Sequence, residues 1–159
     1  MKALTLIQPW ATLVAIGAKR IETRSWGTSY RGPLAIHAAK GFPKWAQETC
    51  FEDIFWKALN GNRPKVLAYI SKFPRGVILA TCRLVDCFQT EVLTQARGGV
   101  LFLEHEPEIS LSQQEEAFGD YSEGRYAWIL DNVQSLPQPV PAKGSLGLWE
   151  WNPQPEGWR

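Results

Sequence analysis

One short stretch decides the fold: Gly17-Ala18-Lys19-Arg20-Ile21-Glu22-Thr23-Arg24-Ser25-Trp26. It ends a predicted helix and begins a predicted strand, and it places Lys19 and Arg24 on either side of the carboxylate of Glu22. Charges this close together are costly in a folded protein unless they pair internally or bind an oppositely charged ligand. We therefore expect a pocket for an anion here, with an internal ion-pair network as the alternative.

The residues that flank this stretch predict a helix followed by a strand. Pro9 suits the first helical position, because its missing N–H is not needed there. An apolar stripe with helical spacing then follows at Trp10, Leu13, Val14 and Gly17. Gly17 can adopt the left-handed conformation that ends a helix. If residues 20–26 are extended, alternate side chains share one face. Those side chains are Arg20, Glu22, Arg24 and Trp26.

Further strands and helices are predicted from the rest of the chain. Strands are expected at 3–7, 33–39, 77–82, 124–133 and 146–151. The alternation over 83–89 indicates that the third of these strands either is longer or bends near Arg83. Helical segments are expected at 43–59 and 66–70, with loops and short helices over 90–122. Within that last region, Ser112 is predicted to cap a helix, with Glu115 as its capping-box partner. Strands separated by helices of uneven length predict an α+β domain with a mixed sheet.

The prolines near the C-terminal end restrict how that sheet can be built. Residues 136–141 carry a proline at every second position, namely Pro137, Pro139 and Pro141. Proline cannot donate a backbone hydrogen bond, so this segment cannot lie in the middle of a sheet. We expect the segment to cross an edge before the last strand begins.

Length and charge limit the functions that the chain can have. With 159 residues, 45% of them hydrophobic, it can bury a core, and we expect one domain over 1–152 followed by a tail, 153–159. A net charge of +1 creates no global field for nucleic acid or membrane, so anion binding must be local. The N-terminus lacks the pattern of a signal peptide and no apolar run spans a membrane, which predicts a cytoplasmic protein with no membrane partner.

The cysteine, histidine and tryptophan residues give weaker indications of function than the charged stretch does. The odd number of cysteines, Cys50, Cys82 and Cys87, without a CxxC pair, predicts neither disulfides nor a metal site, and we expect no cofactor. His37 lies on a predicted strand between small residues, which is compatible with ligand contact and equally with close packing. Most of the eight tryptophans, Trp128 and Trp149 among them, are expected to pack in the core.

The pattern Gly17-x-Lys19-x-x-Glu22-x-Arg24 resembles the signature of the ASCH domain, the activating-signal-cointegrator homology domain of the PUA-like superfamily. Other family-like features span nearly the whole chain. They are Gln8-Pro9-Trp10-Ala11, Ser25-Trp26, Tyr30-Arg31-Gly32, Pro74-Arg75-Gly76, Tyr126-Ala127-Trp128 and Pro141-x-Lys143-Gly144-x-x-Gly147-Leu148-Trp149. The resemblance implies an α+β fold in which mixed strands form a PUA-like β-barrel flanked by helices, with a cleft beside the signature loop.

The resemblance also implies a partner. PUA-like domains commonly bind RNA, so we expect RNA, another single-stranded nucleic acid or a nucleotide in that cleft. The expected ligand-binding residues are Lys19, Glu22, Arg24, Trp26, Tyr30, His37 and Lys143. The planar fork of Arg24 suits phosphate, and Trp26 or Tyr30 could stack on an unpaired base. The small net charge favours a nucleotide or a short strand over a long duplex.

A hydrolase is the alternative that the resemblance implies, because some small bacterial relatives hydrolyse N4-acetylcytidine and ribonuclease activity is known for another. The acetylcytidine hydrolases have a lysine at the position of Lys19 but a threonine nucleophile at the position of Glu22. Thr23 is a poor substitute, since it faces the other side of an extended chain. The catalytic residues would then be Lys19 and Glu22, with Glu22 taking a proton from water.

Two points stay open in this scheme. Lys19 or Arg24 would stabilise the oxyanion, and Asp86 or Asp120 could be the supporting carboxylate. The opposite interpretation is that the charged residues only form structural salt bridges. An anion pocket predicts that Lys19→Ala abolishes the activity with little change in melting temperature, whereas structural salt bridges predict a large loss of stability.

Overall fold

The fold is described from a computed structural model, over residues 1–60, 68–96, 101–103 and 106–153. The helices are α1 (Trp10–Ala15), α2 (Lys44–Thr49), α3 (Asp53–Asn60), α4 (Glu91–Gln95) and α5 (Gln113–Phe118). The strands are β1 (Lys2–Leu6), β2 (Ile21–Arg24), β3 (Gly32–Ala38), β4 (Val77–Gln89), β5 (Leu101–Leu103), β6 (Glu106–Ile109), β7 (Tyr126–Pro141) and β8 (Leu148–Glu150).

Six of these strands form one mixed sheet in the order β2-β7-β4-β3-β1-β8. β1 runs parallel to β3 and antiparallel to β8, while β2 runs antiparallel to β7. β5 and β6 form a separate antiparallel pair within the region where only loops and short helices were expected. The predicted α+β class with a mixed sheet is therefore confirmed.

The chain divides into two compact units. Unit 1 comprises Met1–Ala18, Pro33–Cys82 and the chain from Asn132 onward, and unit 2 comprises Lys19–Gly32 and Arg83–Asp131. The expectation of a single domain over 1–152 stays a prediction. Among the described residues, no helix is both long enough and apolar enough to cross a membrane.

The core of unit 1 is built on the parallel pair β1 and β3. Leu4 of β1 and Leu34 and Ile36 of β3 are fully buried on one face of the sheet, and Ala3 and Ala35 are fully buried on the other, as expected of strands covered on both faces. α1 follows β1 and buries Leu13 and Val14. It ends as predicted at Gly17, whose φ is +77°, a conformation that glycine adopts without the steric cost of a side chain.

The single helix expected over 43–59 is wrong, because the chain forms α2 and α3 with an interruption at residues 50–52. Backbone bonds of the tighter i→i−3 type mark the interruption: the N–H of Phe51 donates to Glu48 and that of Glu52 donates to Thr49, both at 3.0 Å. Part of the helical segment expected at 66–70 lies outside the described residues.

β4 and β7 are both longer than an average strand. β4 runs for 13 residues, which confirms that the strand predicted from 77 continues beyond Arg83. β7 runs for 16 residues through Pro141, which corrects the expectation that the proline segment is separate from the strand. Because the prolines alternate, the N–H groups that they lack all belong to one edge of β7. The other edge keeps its donors, and the N–H of Ala142 donates to Gly76 at 3.1 Å.

Unit 2 has its own apolar cluster. Its buried members are Ile21, Leu93, Ile109, Leu111, Ala127 and Ile129. α5, also in unit 2, begins where Ser112 accepts a hydrogen bond from the Glu115 N–H at 3.1 Å, as predicted for the cap. The predicted capping box is not formed, because the carboxylate of Glu115 accepts from the backbone N–H groups of Arg20 and Ile21 instead.

Candidate functional site

Lys19 of unit 2 is a completely buried lysine, with 0% of its surface exposed. Its ammonium donates to the carbonyl oxygen of Ile21 and, at 3.2 Å, to that of Phe118. It also lies 3.5 Å from the carboxylate of Glu22. An ammonium group has three N–H donors, so these three partners use all of them. This geometry suits a residue that fixes its neighbours in place.

Glu22 lies between two cations. One carboxylate oxygen faces Lys19 and the other lies 3.0 Å from Nε of Arg24. The Glu22 side chain is 11% exposed, while that of Arg24 is 24% exposed. The signature residues therefore form an ion-pair chain that runs from a buried lysine to a partly exposed guanidinium. Of the three side chains, Arg24 is the one that offers the most surface to a ligand.

Glu115 is a buried residue of this site that the sequence did not reveal. Its carboxylate accepts from the backbone N–H of Arg20 at 2.5 Å and from that of Ile21 at 3.3 Å. Burial raises the pKa of Glu115, and the nearby charge of Lys19 opposes that rise. A glutamate three residues after a serine indicates a capping box, so no pattern pointed to the beginning of β2.

The opposite face of β2 is occupied by Thr23. Its hydroxyl accepts from the backbone N–H of Asp120 at 2.8 Å, and its carbonyl oxygen accepts from Arg125 at 3.4 Å. Asp120 in turn pairs with Arg125 at 3.3 Å, and hydrogen bonds from Ser122 lower the pKa of Asp120. Thr23 therefore has hydrogen-bond partners on the face of β2 that alternation along the strand predicted for it.

The carboxylates considered for a hydrolase have structural partners. Asp120 pairs as just described, and Asp86 lies 2.8 Å from the guanidinium of Arg31. Both oxygens of Glu22 face cations, which leaves this carboxylate as an ion-pair partner in the present arrangement. Catalysis by Lys19 and Glu22 stays a prediction.

Two aromatic residues of unit 2 were expected to contact the ligand. Trp26 is half-buried and packs edge-on against Trp128, with ring centroids 4.7 Å apart. The indole N–H of Trp128 donates to the carbonyl of Trp26 at 3.2 Å. Trp128 itself is fully buried, which confirms its predicted place in the core. Tyr30 is half-buried and lies after β2 in the segment that leads to β3.

Unit 1 contains a pocket of about 840 Å³. Its lining comprises Thr5, His37, Ala39, Lys40, Gly76, Pro141, Ala142, Lys143, Gly144, Ser145 and Leu146. Two of the predicted ligand-binding residues, His37 and Lys143, are therefore brought together here. Lys40 also lines the pocket, although it was not among the predicted site residues.

His37 is held by backbone and side-chain partners. Its Nε2 lies 3.1 Å from the carbonyl oxygen of Ala142, and its Nδ1 lies 3.2 Å from the hydroxyl of Thr5. Trp149 packs edge-on against the ring at 5.5 Å. Burial lowers the pKa of His37, and the hydrogen bond with Ala142 partly offsets this effect.

The structure therefore describes the seven predicted site residues in two groups. Unit 2 contains Lys19, Glu22, Arg24, Trp26 and Tyr30, and unit 1 contains His37 and Lys143. Within unit 2 the three charged residues are in contact, and within unit 1 the two residues share one pocket.

Comparisons with known proteins identify the family of this chain. A family model described as the ASCH domain matches residues 4–139. Activating signal cointegrator 1 from Mus musculus and from Homo sapiens are each 33% identical to this chain over 147 residues, which is 92% of this chain and 22% of each relative. The chain thus spans about a fifth of the length of these relatives. A crystal structure of a ZmASCH mutant protein from Zymomonas mobilis aligns with a TM-score of 0.45 and 14% identity, over 88% of this chain and 74% of that chain.

Proposed function

This chain belongs to the ASCH domain family, and from that premise we propose that it binds RNA or a nucleotide, with a phosphate group in the pocket of unit 1. Lys143 and Lys40 bind the phosphate, and His37 lies beside it. The observation that carries the proposal is the composition of this pocket, which combines two ammonium groups with apolar walls.

The size of the pocket supports a ligand of nucleotide dimensions. Ligand pockets in proteins range from roughly 300 to 1,000 Å³, and this one measures about 840 Å³. Pro141, Ala142 and Leu146 supply apolar surface against which a base or a ribose can pack. Leu146 is 97% exposed, so its side chain is available to a ligand at the mouth of the pocket.

The charge of the pocket supports an anionic ligand. Its described lining includes Lys40 and Lys143 and contains no aspartate or glutamate. The aliphatic part of the Lys40 side chain lies over Gly76, since a Cβ on that glycine would lie 3.1 Å from Lys40 Cγ. This contact fixes the direction of the side chain. Ammonium groups are strong phosphate ligands, although they act as point charges rather than as a planar fork.

Unit 2 contributes the residues expected from the family signature. Arg24, Trp26 and Tyr30 are proposed to be its nucleic-acid contacts, and each of them is at least partly exposed. Lys19 and Glu22 hold Arg24 in position through the ion-pair chain. Arg24 supplies phosphate recognition, and the aromatic rings supply base stacking.

Binding of a fluorescein-labelled single-stranded oligouridylate, followed by fluorescence anisotropy, tests the proposal. Lys143→Ala is expected to weaken binding about tenfold or more, because a hydrogen bond to a charged group contributes about 1.5–3 kcal/mol. Lys44→Ala is the matched control, since Lys44 is also in unit 1 but has a 90% exposed side chain on α2. Equal affinities for the two variants would contradict the proposed site.

The same protein solution separates binding from turnover. If N4-acetylcytidine is converted to cytidine, and Glu22→Gln prevents that conversion, the hydrolase alternative replaces simple binding. If the acetylated nucleoside is recovered unchanged while the oligouridylate binds, the chain acts as a binding module.

A further inference from the structure

A chain of hydrogen bonds surrounds the imidazole of His37 in the unit 1 pocket. Nε2 lies 3.1 Å from the carbonyl oxygen of Ala142, and Nδ1 lies 3.2 Å from the hydroxyl oxygen of Thr5. That hydroxyl lies 3.1 Å from the carbonyl oxygen of Ser145. It also accepts from the indole N–H of Trp149 at 3.1 Å.

The number of protons available to these hydrogen bonds depends on the charge of His37. A carbonyl oxygen only accepts, so Nε2 must carry the proton that faces Ala142. If the ring is neutral, Nδ1 accepts the single proton of the Thr5 hydroxyl, and that proton cannot also reach Ser145. If the ring is protonated, Nδ1 donates to the hydroxyl oxygen and the hydroxyl proton turns to Ser145. The imidazolium is therefore the state that satisfies all four contacts at once.

We propose that binding of a phosphate-bearing ligand in this pocket is coupled to protonation of His37, and that the Thr5 hydroxyl transmits this change to Ser145. The inference rests on the proposed function, because it concerns the same pocket and ligand class. Ser145 lies in the segment 143–147, which also carries Lys143 and Leu146. Protonation of His37 thus adds a hydrogen bond to the segment that supplies a phosphate-binding lysine.

The charges around His37 determine the direction of the coupling. Lys40 and Lys143 line the same pocket as the ring, so a charged imidazolium adds a third cation to that pocket. The charged groups on the neighbouring strands, Lys2 of β1 and Glu150 of β8, pair with each other at 2.7 Å. In the free protein, burial lowers the pKa of His37, so the ring is neutral at neutral pH.

An anion in the pocket favours the imidazolium, because it brings an opposite charge into the pocket that the ring lines. The complex then holds a proton that the free protein lacks, so affinity increases as the pH falls from the pKa of His37 in the complex to its pKa in the free protein. A ligand without a charge gains nothing from the added proton. The coupling therefore favours phosphodiesters and nucleotides over nucleosides.

Gly144 gives independent support for a close, specific contact at this ring. A Cβ on Gly144 would lie 2.4 Å from Cε1 of His37 and 3.0 Å from the hydroxyl oxygen of Thr5. Only glycine therefore allows the backbone of this segment to approach the imidazole so closely. The segment 143–147 therefore lies close enough to the imidazole for protonation of Nδ1 to change its hydrogen bonds.

The dinucleoside phosphate UpU and the nucleoside uridine test the coupling by isothermal titration calorimetry, at about pH 5.5 and at about pH 8. UpU is suitable because its phosphodiester keeps one negative charge over this range. We expect UpU to bind on the order of tenfold more tightly at the lower pH, with proton uptake, while the affinity for uridine does not change with pH. His37→Gln should remove the pH dependence, because glutamine can still donate to Ala142 but does not titrate.

A ligand-free measurement isolates the role of Thr5. In the free protein, the backbone ¹⁵N shift of Leu146, which follows the Ser145 carbonyl, should titrate with the same midpoint as the His37 ring. Thr5→Val, which keeps the β-branched shape, should abolish this shared titration. Thr49→Val is the control, because the Thr49 hydroxyl bonds only locally within α2 to Trp45 at 3.0 Å.

The outcomes distinguish the two proposals. Equal affinity for UpU at both pH values would overturn the coupling and leave the proposed function in place. A Leu146 shift that titrates in Thr5→Val as it does in the parent would overturn the role of the hydroxyl. No binding of UpU at either pH would overturn the proposed function and the coupling with it.

Discussion

At the scale of single residues, burial decides what Lys19 can do. A lysine with 0% exposure and two carbonyl partners cannot contact a ligand unless the surrounding structure opens. The carbonyls and the nearby carboxylate of Glu22 offset the cost of removing the ammonium from water. Lys19 contacts Glu22, which in turn pairs with Arg24, and a direct contact of Lys19 with a ligand stays a prediction.

This burial predicts a large loss of stability in Lys19→Ala. Removing the cation leaves Glu22 with less compensation and leaves two buried carbonyls without their donor, so we expect the free energy of unfolding to fall by about 3–5 kcal/mol. Urea denaturation followed by tryptophan fluorescence measures the change, and Lys44→Ala, on the surface, should stay within about 0.5 kcal/mol of the parent. An unchanged midpoint for Lys19→Ala would instead favour the anion pocket expected from the sequence.

The sequence predicted the charged group but not its burial, for a physical reason. Alternation along an extended chain correctly places Glu22 and Arg24 on one face of β2 and Thr23 on the other. Whether that face is covered depends on residues far along the chain, such as Phe118 and Glu115, and a local pattern contains no information about them. His37 and Lys143 were selected from the sequence, whereas Lys40 became visible only when the pocket was described.

At the scale of secondary structure, one carboxylate ties a helix to a strand. Glu115 lies in the first turn of α5, and it accepts from the N–H groups of Arg20 and Ile21, where β2 begins. Arg20 precedes the first residue pair of β2 with β7, and Ile21 belongs to that pair, in which it lies opposite Ile129. Glu115 thus fixes the start of the strand that carries Glu22.

Glu115→Ala should therefore destabilise the protein more than loss of the helix cap. Two backbone donors lose a charged acceptor, so we expect a decrease of about 3 kcal/mol in the free energy of unfolding. Ser112→Ala removes only the N-cap of the same helix and should cost about 1 kcal/mol. Urea midpoints of the two variants give the comparison, and equal losses would show that Glu115 acts mainly within its own helix.

Local chemistry also explains which secondary structure was predictable. The end of α1 at Gly17 and the cap at Ser112 depend on one residue and its immediate neighbours, and both were found from the sequence. The break after Thr49 is a change from i→i−4 to i→i−3 backbone bonds, and no glycine or proline marks it in the sequence. The proline segment was misplaced because strand patterns do not show which edge of a strand needs its N–H groups.

At the scale of the whole molecule, the charge balance limits how nucleic acid can bind. The chain carries 17 lysines and arginines against 16 aspartates and glutamates, so its net charge is +1. Many of these cations are already paired, as Arg31 is with Asp86 and Arg20 is with Asp131. Affinity must then come from a few local contacts rather than from a broad cationic surface.

A weak salt dependence follows from this balance. If Lys40 and Lys143 together neutralise the one phosphate bound in the pocket, the logarithm of the association constant should fall with the logarithm of salt concentration with a slope of about −0.7. Lengthening the oligouridylate beyond the few nucleotides that the pocket holds should add little affinity. Anisotropy titrations over a salt series, repeated with Lys143→Ala, measure the slope, and the variant should reduce it by about half. A much steeper slope that is insensitive to Lys143 would place the main contacts on an extended surface outside this pocket.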